Sequence, residues 1–134
     1  MVVFGKSWTR RVTNVQKPEI FGENSFTLWY KQAMLILSIE TSCDETSVAV
    51  GRDGREVLSN IIASQIAKHT ETGGVVPEVA AREHIKVMIP VLKQAMSEAK
   101  VTWDDIDSIA VTRFPGLKGS LIVGRCTASA LAYA

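Results

Sequence analysis

Apolar and polar positions fall into a regular pattern from Met34 onward. Leu35 to Glu40 is an apolar run of strand length, and a dense polar loop, Thr41-Ser42-Cys43-Asp44-Glu45-Thr46, follows at once. Ser47-Val48-Ala49-Val50 is again apolar and β-branched, so two consecutive strands bracket the loop. Gly51-Arg52-Asp53-Gly54-Arg55 then carries an Asp-Gly pair between apolar runs. That pair signals a hairpin, because a type I′ turn needs positive φ at both central positions. Val57, Leu58, Ile61 and Ile62 supply a third strand, completing an antiparallel meander between Met34 and Ile62.

Ser64 to Glu78 reads as a long irregular connection of the kind that carries function or is disordered. Gly73-Gly74 opens backbone conformations closed to other residues, and Pro77 suits the first turn of a helix. Ile85, Met88, Ile89, Leu92, Ala95, Met96 and Ala99 recur at i, i+3, i+4, i+7, which predicts one amphipathic helix with this stripe against a sheet. The stripe, both methionines included, is assigned to the core rather than to a groove. Glu78 and Arg82 are spaced to pair on its exposed face, and Pro90 is expected to kink it. After Asp104-Asp105-Ile106-Asp107, Ser108 to Arg113 predicts a short buried strand. Phe114 to Ser120 reads as a turn, and Leu121 to Ala134 as a helix with small residues at Gly124, Ala128, Ala130 and Ala132.

Met1 to Gln32 shows neither period. The expectation is that 1–33 is an appended or mis-called leader, disordered, with Met34 as the natural start. The rival is a short docking segment using Trp8, Trp29 and Tyr30. Arg10-Arg11 hints at a transit segment, but Glu19 and Glu23 argue against it. The remainder, 34–134, is expected to be one incomplete lobe, since no strand follows the last helix.

Composition narrows the function classes. The 134 residues are 46% hydrophobic and 22% charged, with a net charge of +1, as in an ordinary globular domain. No global basic field draws in nucleic acid, so any RNA contact needs a local patch. Cys43 and Cys126 have no CxxC spacing and read as reduced thiols. No apolar run approaches a membrane span, and no signal-peptide layout opens the chain, which points to the cytoplasm.

The 41–46 loop carries the candidate chemistry. Three hydroxyls, two carboxylates and several backbone N–H groups, if aimed at one spot, would suit a phosphate, with a carboxylate holding a cation or water. A well-capped turn with solvated acids accounts for the same residues equally well. The turn at Gly116 and Gly119 feeds a helix N-terminus, which offers N–H groups to an anion. His69 and His84 lack the spacing of a helical metal pair. His84 reads as an anchoring or packing residue, and His69 is open between packing and lining a site.

Three stretches, ILSIETSCDETSVAV, LSNIIASQIAKHTETGGVVPEVAAREH and DDIDSIAVTRFPGLKGSLIVG, resemble the N-terminal part of the tRNA threonylcarbamoyladenosine synthases. These form the TsaD/Gcp family, formerly labelled O-sialoglycoprotein endopeptidases. The resemblance implies an α/β fold: the N-terminal lobe of a ribonuclease-H-like, actin-type (ASKHA) protein, a truncated mixed sheet with helices. It implies an acyltransferase that moves the threonylcarbamoyl group from threonylcarbamoyl-AMP to the N6 amine of the adenosine beside the anticodon of tRNA. Asp44 and Glu45 would be the catalytic acids. Ser42, Cys43, Thr46, His69, Gly73, Gly74, Glu78, Gly116 and Gly119 would line the substrate and nucleotide site. Iron or zinc would serve the full-length family, but its paired histidine ligands lie beyond Ala134, so no metal ligand is expected in this chain. A paralogous scaffold subunit and an ATPase subunit would be partners. The family's Gly-Pro-Gly turn reads Phe114-Pro115-Gly116 here, and Arg125 stands where an apolar residue is usual. The chain alone is expected to be inactive. The alternative is a non-catalytic scaffold or dimerisation paralogue; an actin-fold kinase leaves His69 to Glu78 unexplained.

Overall fold

Period-two alternation sorts the strand side chains onto two faces, and a computed structural model shows which face is buried. The structure describes residues 2–5 and 33–134. The other residues, with Trp8, Trp29 and Tyr30, lie outside the described residues.

Five strands form one mixed sheet in the order β1-β5-β2-β3-β4. β2 (Leu35–Glu40), β3 (Glu45–Arg52) and β4 (Glu56–Ser64) are the expected antiparallel meander. β5 (Ser108–Val111) lies parallel to β2, and β1 (Val2–Gly5) pairs antiparallel with the outer edge of β5. The sequence shows no strand period at residues 2–5, so this strand is known by its backbone pairing. The Asp-Gly hairpin has the required geometry, with φ of 54° at Asp53 and 65° at Gly54.

Two helices cover one face of the sheet, α2 (Pro77–Ala99) and α3 (Lys118–Tyr133). Leu37 and Ile39 of β2, Val48 and Val50 of β3, and Ile109 and Val111 of β5 meet Met88, Val91, Leu92 and Ala95 there. Each large aliphatic side chain buried this way contributes about 1.5–3 kcal/mol.

The structure corrects several expectations. The connection after β4 is not wholly irregular, because Ile66–Glu71 form a short helix, α1. The buried stripe of α2 is rotated from the one predicted: Ala80, His84, Met88, Val91, Leu92, Ala95 and Met96 face inward, while Ile85 and Ile89 are 63% and 57% exposed. A polar residue, His84, holds a core position, so hydropathy alone placed the stripe one step off. Glu78 does not pair with Arg82; the ion pairs are Glu83 with Lys86 and with Lys68 of α1. α3 begins at Lys118 rather than Leu121, which places Gly119 and Ser120 in its first turn instead of in the loop.

Candidate functional site

Strand parity decides what the loop after β2 can offer. Leu37 and Ile39 point into the core, and Thr41, next in that alternation, is fully buried with its hydroxyl donating to the Ser120 carbonyl at 2.8 Å. Thr46 shares the inward face of β3 with Val48 and Val50, and is also fully buried. Its hydroxyl sits 2.7 Å from Nδ1 of His84. Two of the three loop hydroxyls are therefore committed to the core and are not aimed at a ligand. The period-two pattern contained this information; reading Thr46 as part of a polar cluster obscured it.

The outward half of the loop is Ser42, Cys43, Asp44 and Glu45, with Ser42 and Asp44 half-buried and Cys43 and Glu45 exposed. Glu40, at the end of β2, shapes this tip by accepting the Ser42 backbone N–H at 2.6 Å. Burial pushes the Glu40 carboxyl up, but hydrogen bonds from Ser42 and Thr112 outweigh it and hold the group below the usual carboxylate range. Glu40 also lines a shallow groove with Ser38, Ser47 and Thr112 on the sheet face away from the helices. Slight burial and the neighbouring Asp44 push the Cys43 thiol up, so it is a poor nucleophile at neutral pH.

The turn before α3 closes on this tip. The Ser42 carbonyl accepts the Leu117 N–H at 2.7 Å. Gly116 has φ of 157°, and a Cβ there would stand 2.6 Å from the Ser42 carbonyl oxygen. Close approach, not flexibility alone, requires glycine at this position. The Phe114 ring, which the sequence placed at this approach, is 70% exposed and turned to solvent. Among the described residues no side chain caps the start of α3, which leaves its first-turn N–H groups and partial positive charge beside Ser42. Gly119, in that first turn, packs against Ala81 of α2.

The other predicted wall is joined to the loop through backbone and buried side chains. The Asp44 carbonyl accepts the Gln65 N–H at 2.9 Å, and the His69 carbonyl accepts the Gly74 N–H at 2.9 Å. Gly73 turns the chain at φ of 69° in open space. His69 is buried rather than lining an open cleft, and its Nδ1 has no hydrogen-bond partner among the described residues. Glu78 is exposed in the first turn of α2.

Sequence reasoning missed Gln65 and undervalued His84. The His84 ring is fully buried, its Nε2 3.1 Å from the Cys43 carbonyl. A carbonyl only accepts, so Nε2 carries the proton and Nδ1 accepts from Thr46. Burial lowers the affinity of this ring for a second proton, outweighing the Cys43 carbonyl and the charges of Glu40 and Asp44.

Among the described residues, no three His, Cys, Asp or Glu side chains gather closely enough to hold a metal ion. Among the same residues, no helix is long and apolar enough to cross a membrane.

Comparison with known proteins now bears on the site. Two structures related to YeaZ from Pseudomonas aeruginosa share the fold, with TM-scores of 0.55 and 0.56 at 22% and 24% identity. Each match covers 75% of this chain and 38% of the other. A tRNA N6-adenosine threonylcarbamoyltransferase of Syntrophus aciditrophicus is 59% identical over 100 residues, 75% of this chain and 30% of its own length. One from Clostridium botulinum is 60% identical over 104 residues, 78% of this chain and 31% of its own. The chain thus spans about 30% of the length of the curated relatives it matches. The family model described as "TsaD: tRNA N6-adenosine threonylcarbamoyltransferase" matches residues 56–134, more than half of the chain, and by that match the chain belongs to the TsaD family.

Proposed function

We propose that this chain supplies one wall of a tRNA threonylcarbamoyl-transfer site, the wall that holds the adenylate end of threonylcarbamoyl-AMP. The observation that carries the reading is the meeting of the acidic tip, Ser42 to Glu45, with the uncapped N-terminus of α3 across the Gly116 contact. An anion there gains backbone N–H donors and the helix's partial charge. In the reaction the N6 amine of adenosine attacks the carbamoyl carbon, the carbon–oxygen bond to phosphate breaks, and AMP leaves. Glu45, exposed at the rim, takes the proton that the amine loses, and Asp44 orients the amine or a water. Ser42, Cys43, Gly116 and Gly119 line the phosphate side; Gly73, Gly74 and Glu78 line the opposite side. Thr46 and His69 act from behind, as buried supports. The iron or zinc, the tRNA contacts, and the scaffold and ATPase subunits belong to the complete enzyme, working in the cytoplasm.

Identity of 59–60% to proteins named as transferases supports the transferase reading over the scaffold alternative. Positioning supplies much of the rate in acyl transfer, so one wall alone should not turn over. The test joins this chain to the remaining portion of the Clostridium botulinum relative and assays modified adenosine in tRNA. The joined protein is expected to be active, its Glu45→Gln variant to lose roughly 100-fold or more, and the chain alone to be silent. A folded but inactive chimera, or turnover by the chain alone, would overturn the proposal.

A further inference from the structure

A buried chain of polar side chains runs behind the site. Gln65 is 6% exposed, and His69 and His84 are 5% and 0% exposed. The Gln65 amide nitrogen lies 3.3 Å from His84 Nδ1 and 3.4 Å from the Ala80 carbonyl. Its amide oxygen lies 3.2 Å from His69 Nε2. One proton arrangement satisfies the series. His84 Nε2–H donates to Cys43, His84 Nδ1 accepts from Thr46 and Gln65, and Gln65 Oε1 accepts from His69 Nε2–H. The Gln65 backbone N–H meanwhile donates to Asp44. Gln65 therefore touches the acidic tip through its main chain and through His84. It touches the Gly73–Gly74 turn through His69, whose carbonyl takes the Gly74 N–H.

We propose that Gln65 is a positioning residue that fixes the spacing between the Cys43–Glu45 tip and the Gly73–Gly74 turn, with His84 as its anchor under the tip. This deepens the transferase reading, since it assumes that the two segments face one substrate. Neither residue contacts solvent freely, so both act through what they hold. A second fastening of α1 exists in the Lys68–Glu83 ion pair, 2.6 Å long, which holds the helix to α2 without touching the loop. The two fastenings can be cut separately.

Cys43 reports on the tip, being exposed with its carbonyl held by His84. In a Cys126→Ser background, alkylation of Cys43 by iodoacetamide and amide exchange at 69–75 are measured together on the whole chain. Gln65→Ala should raise both, each roughly 10-fold, as expected for losing about one net buried hydrogen bond. Lys68→Met should leave Cys43 alkylation at the parent rate. His84→Gln keeps a donor where Nε2 stood and should keep Cys43 slow; His84→Asn puts an amide oxygen, an acceptor, where Nδ1 stood but nothing at Nε2, and should not. Faster exchange at 69–75 in Gln65→Ala with unchanged Cys43 alkylation would overturn the proposal. So would equal acceleration by Lys68→Met, which would mark general loosening. If Gln65→Ala does not fold, the two His84 variants decide: equal Cys43 rates in both would overturn it. These readouts need no turnover, so they stand or fall apart from the transferase assay.

Discussion

Two glycine turns connect to the acidic tip, one indirectly through His69 and Gln65 and one directly at Ser42, and they use glycine for different reasons. At Gly73 nothing lies within 4 Å of where a Cβ would be, and the demand is a left-handed backbone with φ of 69°. At Gly116 the same added carbon would collide with the Ser42 backbone. The first turn is shaped by its own torsions, whereas the second is shaped by its neighbour. A substitution at the second must therefore disturb the tip itself, whereas one at the first stays local.

The sharpest break of that contrast is Gly116→Ala. Overpacking against backbone that cannot step aside should cost about 3 kcal/mol, read as a lower midpoint in urea unfolding. Gly124→Ala tests whether the tip is rigid from below as well. A Cβ there meets the Thr41 hydroxyl closely, so about 2 kcal/mol of destabilisation is expected, with loss of the Thr41–Ser120 bond. Gly73→Ala should cost only about 1 kcal/mol, the penalty of a left-handed alanine in open space, and Gly73→Asn less. Equal losses at Gly73 and Gly116 would erase the distinction.

The smallest effect is in pH. The folded state lowers the His84 pKa below its unfolded value, so the unfolded chain binds the proton more readily. The associated stability is complete above about 6.5, the ordinary His value, and declines as pH falls from there toward the lowered folded value. Glu40 is also lowered, so its contribution is complete above about 4.5 and declines in more acidic solution. The groups facing His84 are Glu40, Asp44 and His69. His84→Gln should flatten the first part of the thermal stability profile and leave the acidic part in place. A profile unchanged by that substitution would show that the ring under the tip is not proton-sensitive.

Much of the frame was written locally. The β2–β3–β4 meander, the Asp-Gly turn and Pro77 at the head of α2 each follow from residues within a few positions of one another. What escaped is held by distant partners. His84 joins Cys43 and Thr46 across 41 and 38 residues, and no period or motif announces such a bond. Because His84 counts as polar, it hid the true inward face of α2 and drew Ile85 and Ile89 into the predicted core. β1 was invisible for a related reason, since its pairing to β5 spans the chain. The outward tip residues were legible as a motif, whereas the inward turn of Thr41 and Thr46 needed strand parity carried past the polar boundary.

The entrance of β2 has a practical consequence. Asp53 accepts the Met34 N–H and Asp107 accepts the Leu35 N–H, each at 2.8 Å, and their own N–H groups return bonds to the Met34 and Leu35 carbonyls. Two carboxylates thus moor the first residues of the strand like bollards on a quay. Tension drawn through Ala33 into β2 therefore meets these two carboxylates before it reaches the 42–45 tip.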